Sequence, residues 1–154
     1  MVTARSQANA RGRPDPAAHR PRVCRLATGV ATLFVLVGLL GFVPGVTVDH
    51  QLLRWAGPGS QALLLGAFQV SALLNLVHLG FGLGGLVLAR RVPRTRLFLL
   101  GGGAFLLGLW LYGLLADHAG LPDVLPANAA DNRLHLAFGV ALLGLGGLAL
   151  RRPR

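Results

Sequence analysis

The sequence contains no lysine, no glutamate and a single cysteine, Cys24, in 154 residues. One cysteine excludes an internal disulfide and a cysteine-rich metal centre, and the lone thiol is read as incidental. Charged residues make up only 13% of the chain, against about a quarter in a soluble domain. No nucleophile–base pair, phosphate loop or metalloprotease motif occurs, so a non-catalytic role is expected. What is present instead is apolar: 53% of residues are hydrophobic and the mean hydropathy is +0.60. These residues come in long blocks, which points to a lipid bilayer as the solvent. Fifteen arginines give a net charge of +10. They flank the apolar blocks, so membrane orientation explains them better than nucleic-acid binding, and no nucleic-acid partner is expected.

Residues 1–25 hold six arginines with Pro14, Pro16 and Pro21, a composition that predicts a disordered basic tail. Leu26 to Val43 is the first apolar run. It is longer than a signal-peptide core and is followed by Pro44-Gly45 without a small-x-small cleavage site, so a retained transmembrane helix is expected. Val46 to Ser60 is a loop in which Val48 to Ala56 could form a short interfacial helix with Trp55 at headgroup level. Gln61 to Ala89 is too long for one perpendicular span of about 20 residues. Ser71 is a good N-cap, which places the second helix near 71–89 and leaves 62–70 as an apolar approach or a tilted extension. A basic turn at 90–96, a third apolar block from Leu97 to Ala116 and a loop from Asp117 to Ala127 follow. Asn128 is the expected cap of a fourth helix reaching about Leu150, with Asp131 three residues on, where a carboxylate meets free backbone N–H groups.

Six arginines precede the first block, four lie in the 90–96 turn and three close the chain, so thirteen of fifteen fall on one side of a four-span arrangement. That side is expected to be cytoplasmic, with both termini inside and anionic inner-leaflet lipids as partners.

The segments Asn75–Leu88 and Asn132–Leu145 match at an offset of 57, with seven identities in fourteen positions, among them the rare residues Asn and His. This reads as a duplicated two-helix hairpin in parallel orientation. Steps of three and four place Asn75, His78, Gly82, Gly85 and Ala89 on one helix face, and Asn132, His135, Gly139, Leu142 and Gly146 on the equivalent face. Gly80 and Gly84 form a further small pair on a neighbouring face. Each His lies seven residues past its cap, roughly 10 Å along the helix and about a third of the way through a 30 Å hydrocarbon core. Polar side chains at that depth face protein or a water-filled cavity.

Three readings of the polar pairs stand. Asn75, His78, Asn132 and His135 could be interhelical glue. His78 and His135 could ligate a haem iron or a metal. They could also form a proton or small-polar-ligand site with Asp131, which is four residues before His135. For Asp131 itself, helix capping is the simpler role. Asp49-His50 and Asp117-His118 in the loops have zinc-binding chemistry, but they are not equivalent in the repeat, and solvated side chains are expected there.

The run F-Q-V-S-A-L-L-N-L-V-H-L-G-F-G-L-G-G-L at 68–86 resembles the hallmark of domain of unknown function 4383, a family of small four-helix bacterial membrane proteins. N-A-A-D-N-R-L-H-L-A-F-G at 128–139 is similar to the family's second segment, and Gly41-Phe-Val-Pro-Gly45 fits the end of its first helix. The resemblance covers about residues 26–150. Leu74 stands where the family often has a His directly before the first Asn. The resemblance implies a membrane location and no established activity.

The expectation is an all-α integral membrane protein of the inner membrane with four spans over residues 26–150. Its role would be structural or accessory, compatible with a homo-oligomer. The alternative is a haem-, metal- or proton-linked binding protein using His78 and His135. No cofactor or catalytic residue is assigned.

Overall fold

A computed structural model describes residues 21–57, 59–119, 124–126 and 128–150, apart from the side chains of 116–119 and 150. The expected tail up to residue 20 and the closing arginines 151, 152 and 154 lie outside the described residues.

Within these residues the chain forms four α-helices: α1 (Arg22–Leu40), α2 (Ala72–Leu88), α3 (Val92–Ala119) and α4 (Ala129–Leu150). Three of them, over Arg22–Leu40, Val92–Leu115 and Ala129–Ala149, are long and apolar enough to cross a membrane. α2 has 17 residues and is about 26 Å long at 1.5 Å per residue.

Helix boundaries differ from the sequence reading where proline chemistry decides. α1 starts at Arg22 rather than Leu26 because Pro21 sits at the cap position, where an absent N–H costs nothing. α3 starts at Val92 rather than Leu97: Pro93 occupies the first turn, where proline is tolerated. The basic turn is thereby shortened, and Arg94 and Arg96 become helical. α3 then continues to Ala119, so Asp117 and His118 belong to its last turn rather than to a loop.

The structure is mostly helical rather than all-α, because the first connection folds into a small antiparallel sheet. Its strands are β1 (Thr47–Val48), β2 (Leu63–Leu64) and β3 (Phe68–Gln69), in the order β1-β2-β3. Leu63 pairs with Gln69 and Leu64 with Phe68. The stretch expected to approach α2 is therefore a hairpin, closed by Leu65 and Gly66 in the left-handed region with φ of 53° and 69°. In place of the expected interfacial helix stands a single 3₁₀ turn, His50–Leu52. Ala62, Leu64 and Val70 form a small core under the sheet, packed on Val37 and Leu40 of α1. The loop also completes α2: the Ala72 and Leu73 N–H groups donate to the Arg54 and Trp55 carbonyls at 3.0 and 2.9 Å. These are donors that a helix start leaves unpaired.

Packing is pairwise. α1 lies along α2 and α3 along α4, and the two hairpins meet through more limited contacts of α3 with α1 and α2. Small residues set the close approaches. Gly82 lies against the Ala31 carbonyl of α1, and Gly139 against the Gly103 carbonyl of α3. The core between the hairpins is built from Ala27, Ala31, Phe34, Phe98, Leu99, Leu106 and Leu142. Large apolar side chains such as Leu36, Leu76, Leu83, Leu111, Val140 and Leu148 point outward and are exposed.

Candidate functional site

Every member of the two stripes is buried: Asn75, His78, Gly82 and Gly85 on α2 with Ala89 at its C-cap, and Asn132, His135, Gly139, Leu142 and Gly146 on α4. Gly80 and Gly84, on the neighbouring face, are exposed and have open space around them.

The Asn side chains do not meet each other. Asn75 lies against Gly41 at the end of α1, so closely that a Cβ there would fall within its carboxamide. Asn132 lies in the same way against Gly113 of α3. The His side chains do meet. The rings of His78 and His135 are 6.1 Å apart between centroids and tilted by 40°. Phe34 of α1 packs on His78 at 5.7 Å and on Phe138 of α4 at 5.7 Å.

Several polar atoms of the two stripes have no hydrogen-bond partner. Both polar atoms of the Asn75 carboxamide, Asn132 Oδ1 and the Nδ1 atoms of His78 and His135 are buried without a partner. Apart from these, Arg96 Nε is the remaining such atom among the described residues. An unpaired buried polar atom costs about 1–3 kcal/mol, and one left in a native fold calls for an explanation.

Asp131 is engaged through one carboxylate oxygen. Its Oδ2 accepts the Asn128 N–H at 3.0 Å, while Asn128 Oδ1 accepts the Ala130 and Asp131 N–H groups at 2.8 and 3.0 Å. This is a reciprocal capping box with Asp in the place of Glu. The same Oδ2 accepts the Gln69 N–H at 3.0 Å, and Asn128 Nδ2 donates to the Ala67 carbonyl at 2.7 Å. The β2–β3 hairpin is thus tied to the start of α4. Ser71 caps α2, accepting the Leu74 N–H at 3.1 Å. Sequence reasoning missed Gln69, whose amide group also donates to the Ser60 carbonyl at 2.7 Å. Its one visible signal is a polar side chain inside an apolar stretch.

These elements enclose a cavity of about 240 Å³ between α1, α4 and the hairpin. His78, His135 and Asp131 supply its polar wall, and Phe34, Phe68 and Phe138 much of the rest. Leu33 of α1, Leu134 of α4 and Leu65 of the hairpin loop line it and are 43%, 39% and 68% exposed, so they mark its mouth. An engineered cavity of about 150 Å³ binds benzene, so the space suits one substituted ring and falls short of a porphyrin. Among the described residues no group of three or more His, Cys, Asp or Glu side chains is placed to hold a metal ion. His50 and Asp49 lie in the 3₁₀ turn region, whereas the side chains of Asp117 and His118 lie outside the described residues.

Comparison with known proteins gives one finding: a family model described as a domain of unknown function, DUF4383, matches residues 24–148. No curated protein and no solved structure matches.

Proposed function

The chain belongs to the DUF4383 family, and from that premise we propose a small, non-catalytic accessory protein of the inner membrane whose polar centre is a binding site rather than helix glue. The protein crosses the bilayer four times with both termini in the cytoplasm. The arginine-rich ends and turn meet anionic inner-leaflet lipids, and the sheet and the polar wall lie toward the outer side. The outward-facing leucines and valines support burial in lipid. α2, the shortest span, is within the range of about 17–25 residues that a bilayer needs.

A duplicated hairpin is supported by matched packing. The first-helix partners of the two stripes, Ala31 and Gly41 in one half and Gly103 and Gly113 in the other, are related by a constant offset of 72. The second-helix residues, Asn75 and Gly82 against Asn132 and Gly139, are related by 57.

The observation that carries the binding reading is the pair of buried imidazoles, His78 and His135, which line one cavity while neither Nδ1 is bonded across the helix interface. Glue would use those atoms across the helix interface. The test is replacement of His78 and His135 by leucine, one at a time, with unfolding followed in detergent micelles. Under the binding reading stability is unchanged or rises, since an unpaired polar group is exchanged for an apolar one. A loss of about 0.6–2 kcal/mol, the range for interhelical hydrogen bonds in membranes, would return the pair to the role of glue.

A further inference from the structure

We infer that the cavity beside His78 and His135 is a site for an uncharged, planar, lipid-soluble ring that carries keto or hydroxyl oxygens, of quinone or quinol chemistry, entering sideways from the bilayer. The inference rests on the binding reading above and names the ligand class.

Size comes first. The cavity is about 240 Å³, below the range of about 300–1,000 Å³ for pockets that take drug-sized ligands and above the benzene-sized cavity. It fits one ring with short substituents. Shape follows from the walls: Phe34, Phe68 and Phe138 line the cavity, and the two imidazoles are rings as well. A flat ligand finds offset or edge-on aromatic partners on several sides.

Polarity is set by the two histidines. His78 is 8% and His135 7% exposed, and both rings line the cavity. A neutral imidazole carries one donor and one acceptor nitrogen, so each ring can give a hydrogen bond to a keto oxygen or take one from a hydroxyl. With ring centroids 6.1 Å apart, the pair suits a molecule with two such oxygens better than one with a single polar atom. One oxygen of the Asp131 carboxylate, Oδ2, accepts the Gln69 and Asn128 N–H groups. The carboxylate in the wall disfavours an anionic ligand.

Access is lateral. The mouth is made by leucines, Leu33, Leu65 and Leu134, with no charged side chain among the lining residues except Asp131. α1 and α4 belong to different hairpins and lack the close packing found within each hairpin. A substituent or tail on the ring would leave between them into lipid. Water-soluble ligands would have to cross an apolar rim.

The test uses the full-length protein in lipid nanodiscs with two probes of one shape: tetramethyl-1,4-benzoquinone, whose filled ring resists attack by thiols, and 1,2,4,5-tetramethylbenzene, which lacks the oxygens. Affinity is read by the shift in unfolding midpoint with probe concentration. The quinone is expected to bind about tenfold more tightly than the hydrocarbon, the effect of one additional net hydrogen bond. His78→Leu and His135→Leu should abolish that advantage while keeping hydrocarbon binding, and Leu134→Trp, which fills the mouth, should weaken both. Equal affinity for the two probes would overturn the proposal and leave an apolar void. Absence of binding by either would overturn the ligand class, and the stability of the leucine variants would still decide separately between a binding site and glue.

Discussion

Replacing Gly113 by alanine adds one methyl group where the structure has no room for it. Gly113 lies inside α3, where alanine alone gains roughly 1 kcal/mol over glycine. Against that, the new Cβ would fall within the Asn132 carboxamide. Asn132 is 9% exposed and its Oδ1 is already unpaired, so the amide cannot swing aside into solvent. Overpacking a core costs about 1–3 kcal/mol, and the directness of this overlap places it at the upper end. The net loss is then about 2 kcal/mol. Gly108 of the same helix is the control: it is exposed with nothing within 4 Å of an added Cβ, so Gly108→Ala should show only the propensity gain. The assay is equilibrium unfolding in mixed micelles followed by helical circular dichroism. The cycle closes with Asn132→Ala, which removes the carboxamide; the double variant should lie within about 1 kcal/mol of Asn132→Ala alone, a coupling of about 2–3 kcal/mol. The first hairpin repeats the test at Gly41, whose φ of −60° accepts alanine without backbone strain, with Asn75→Ala as suppressor. If Gly113→Ala behaves like Gly108→Ala, or if Asn132→Ala does not suppress it, the glycine–asparagine seat that relates the two hairpins is wrong.

Three further outcomes are expected. With Cys24 replaced by serine, a cysteine at position 59 should react with an impermeant maleimide on intact cells and a cysteine at position 93 should not; the reverse pattern inverts the topology. Asp131→Ala removes the acceptor of both the Asn128 and Gln69 N–H groups and should cost about 2–4 kcal/mol, with faster amide exchange at Gln69 as the specific sign that the hairpin has come loose. Leu65→Gly should stabilise by about 1 kcal/mol, because Leu65 is held at φ 53° and is 68% exposed, and left-handed backbone costs a side chain about 1–2 kcal/mol; destabilisation in a melt would show that its side chain contributes more than the strain it bears.

The helical frame and its polar stripes were readable because the signals are strong and local. Asn75, His78, Asn132 and His135 stand out in an apolar background, and steps of three and four assign them to one face of each helix. All ten stripe positions are buried. The sheet was not readable. Its strands are two residues each, too short for an alternating pattern, and its turn uses Leu65, a residue type that gives no turn signal. The tie from Gln69 to Asp131 joins residues 62 apart, which no local rule anticipates. What the polar groups do to one another was also hidden. Periodicity gives the face of a helix but not the contact, so it could not distinguish Asn against Gly and His against His from a hydrogen-bonded ladder.

The cavity lies where the two hairpins differ rather than where they match. Gly41 and Asn75 are 34 residues apart and Gly113 and Asn132 are 19 apart, although both pairs make the same contact. The first connection therefore carries fifteen extra residues, and this longer connection contains the sheet. If the first connection were as short as the second, the space beside His135 would open to the surface. Instead β2 and β3 cover it, and Asp131, which could have capped α4 without any help from the other half, holds the cover by accepting the Gln69 N–H. The two matching stripes bring two histidines together, and the longer first connection covers the space beside them. A helical pair needing only stability has no use for the second step. That is the physical reason to look for a ligand at this point of the fold.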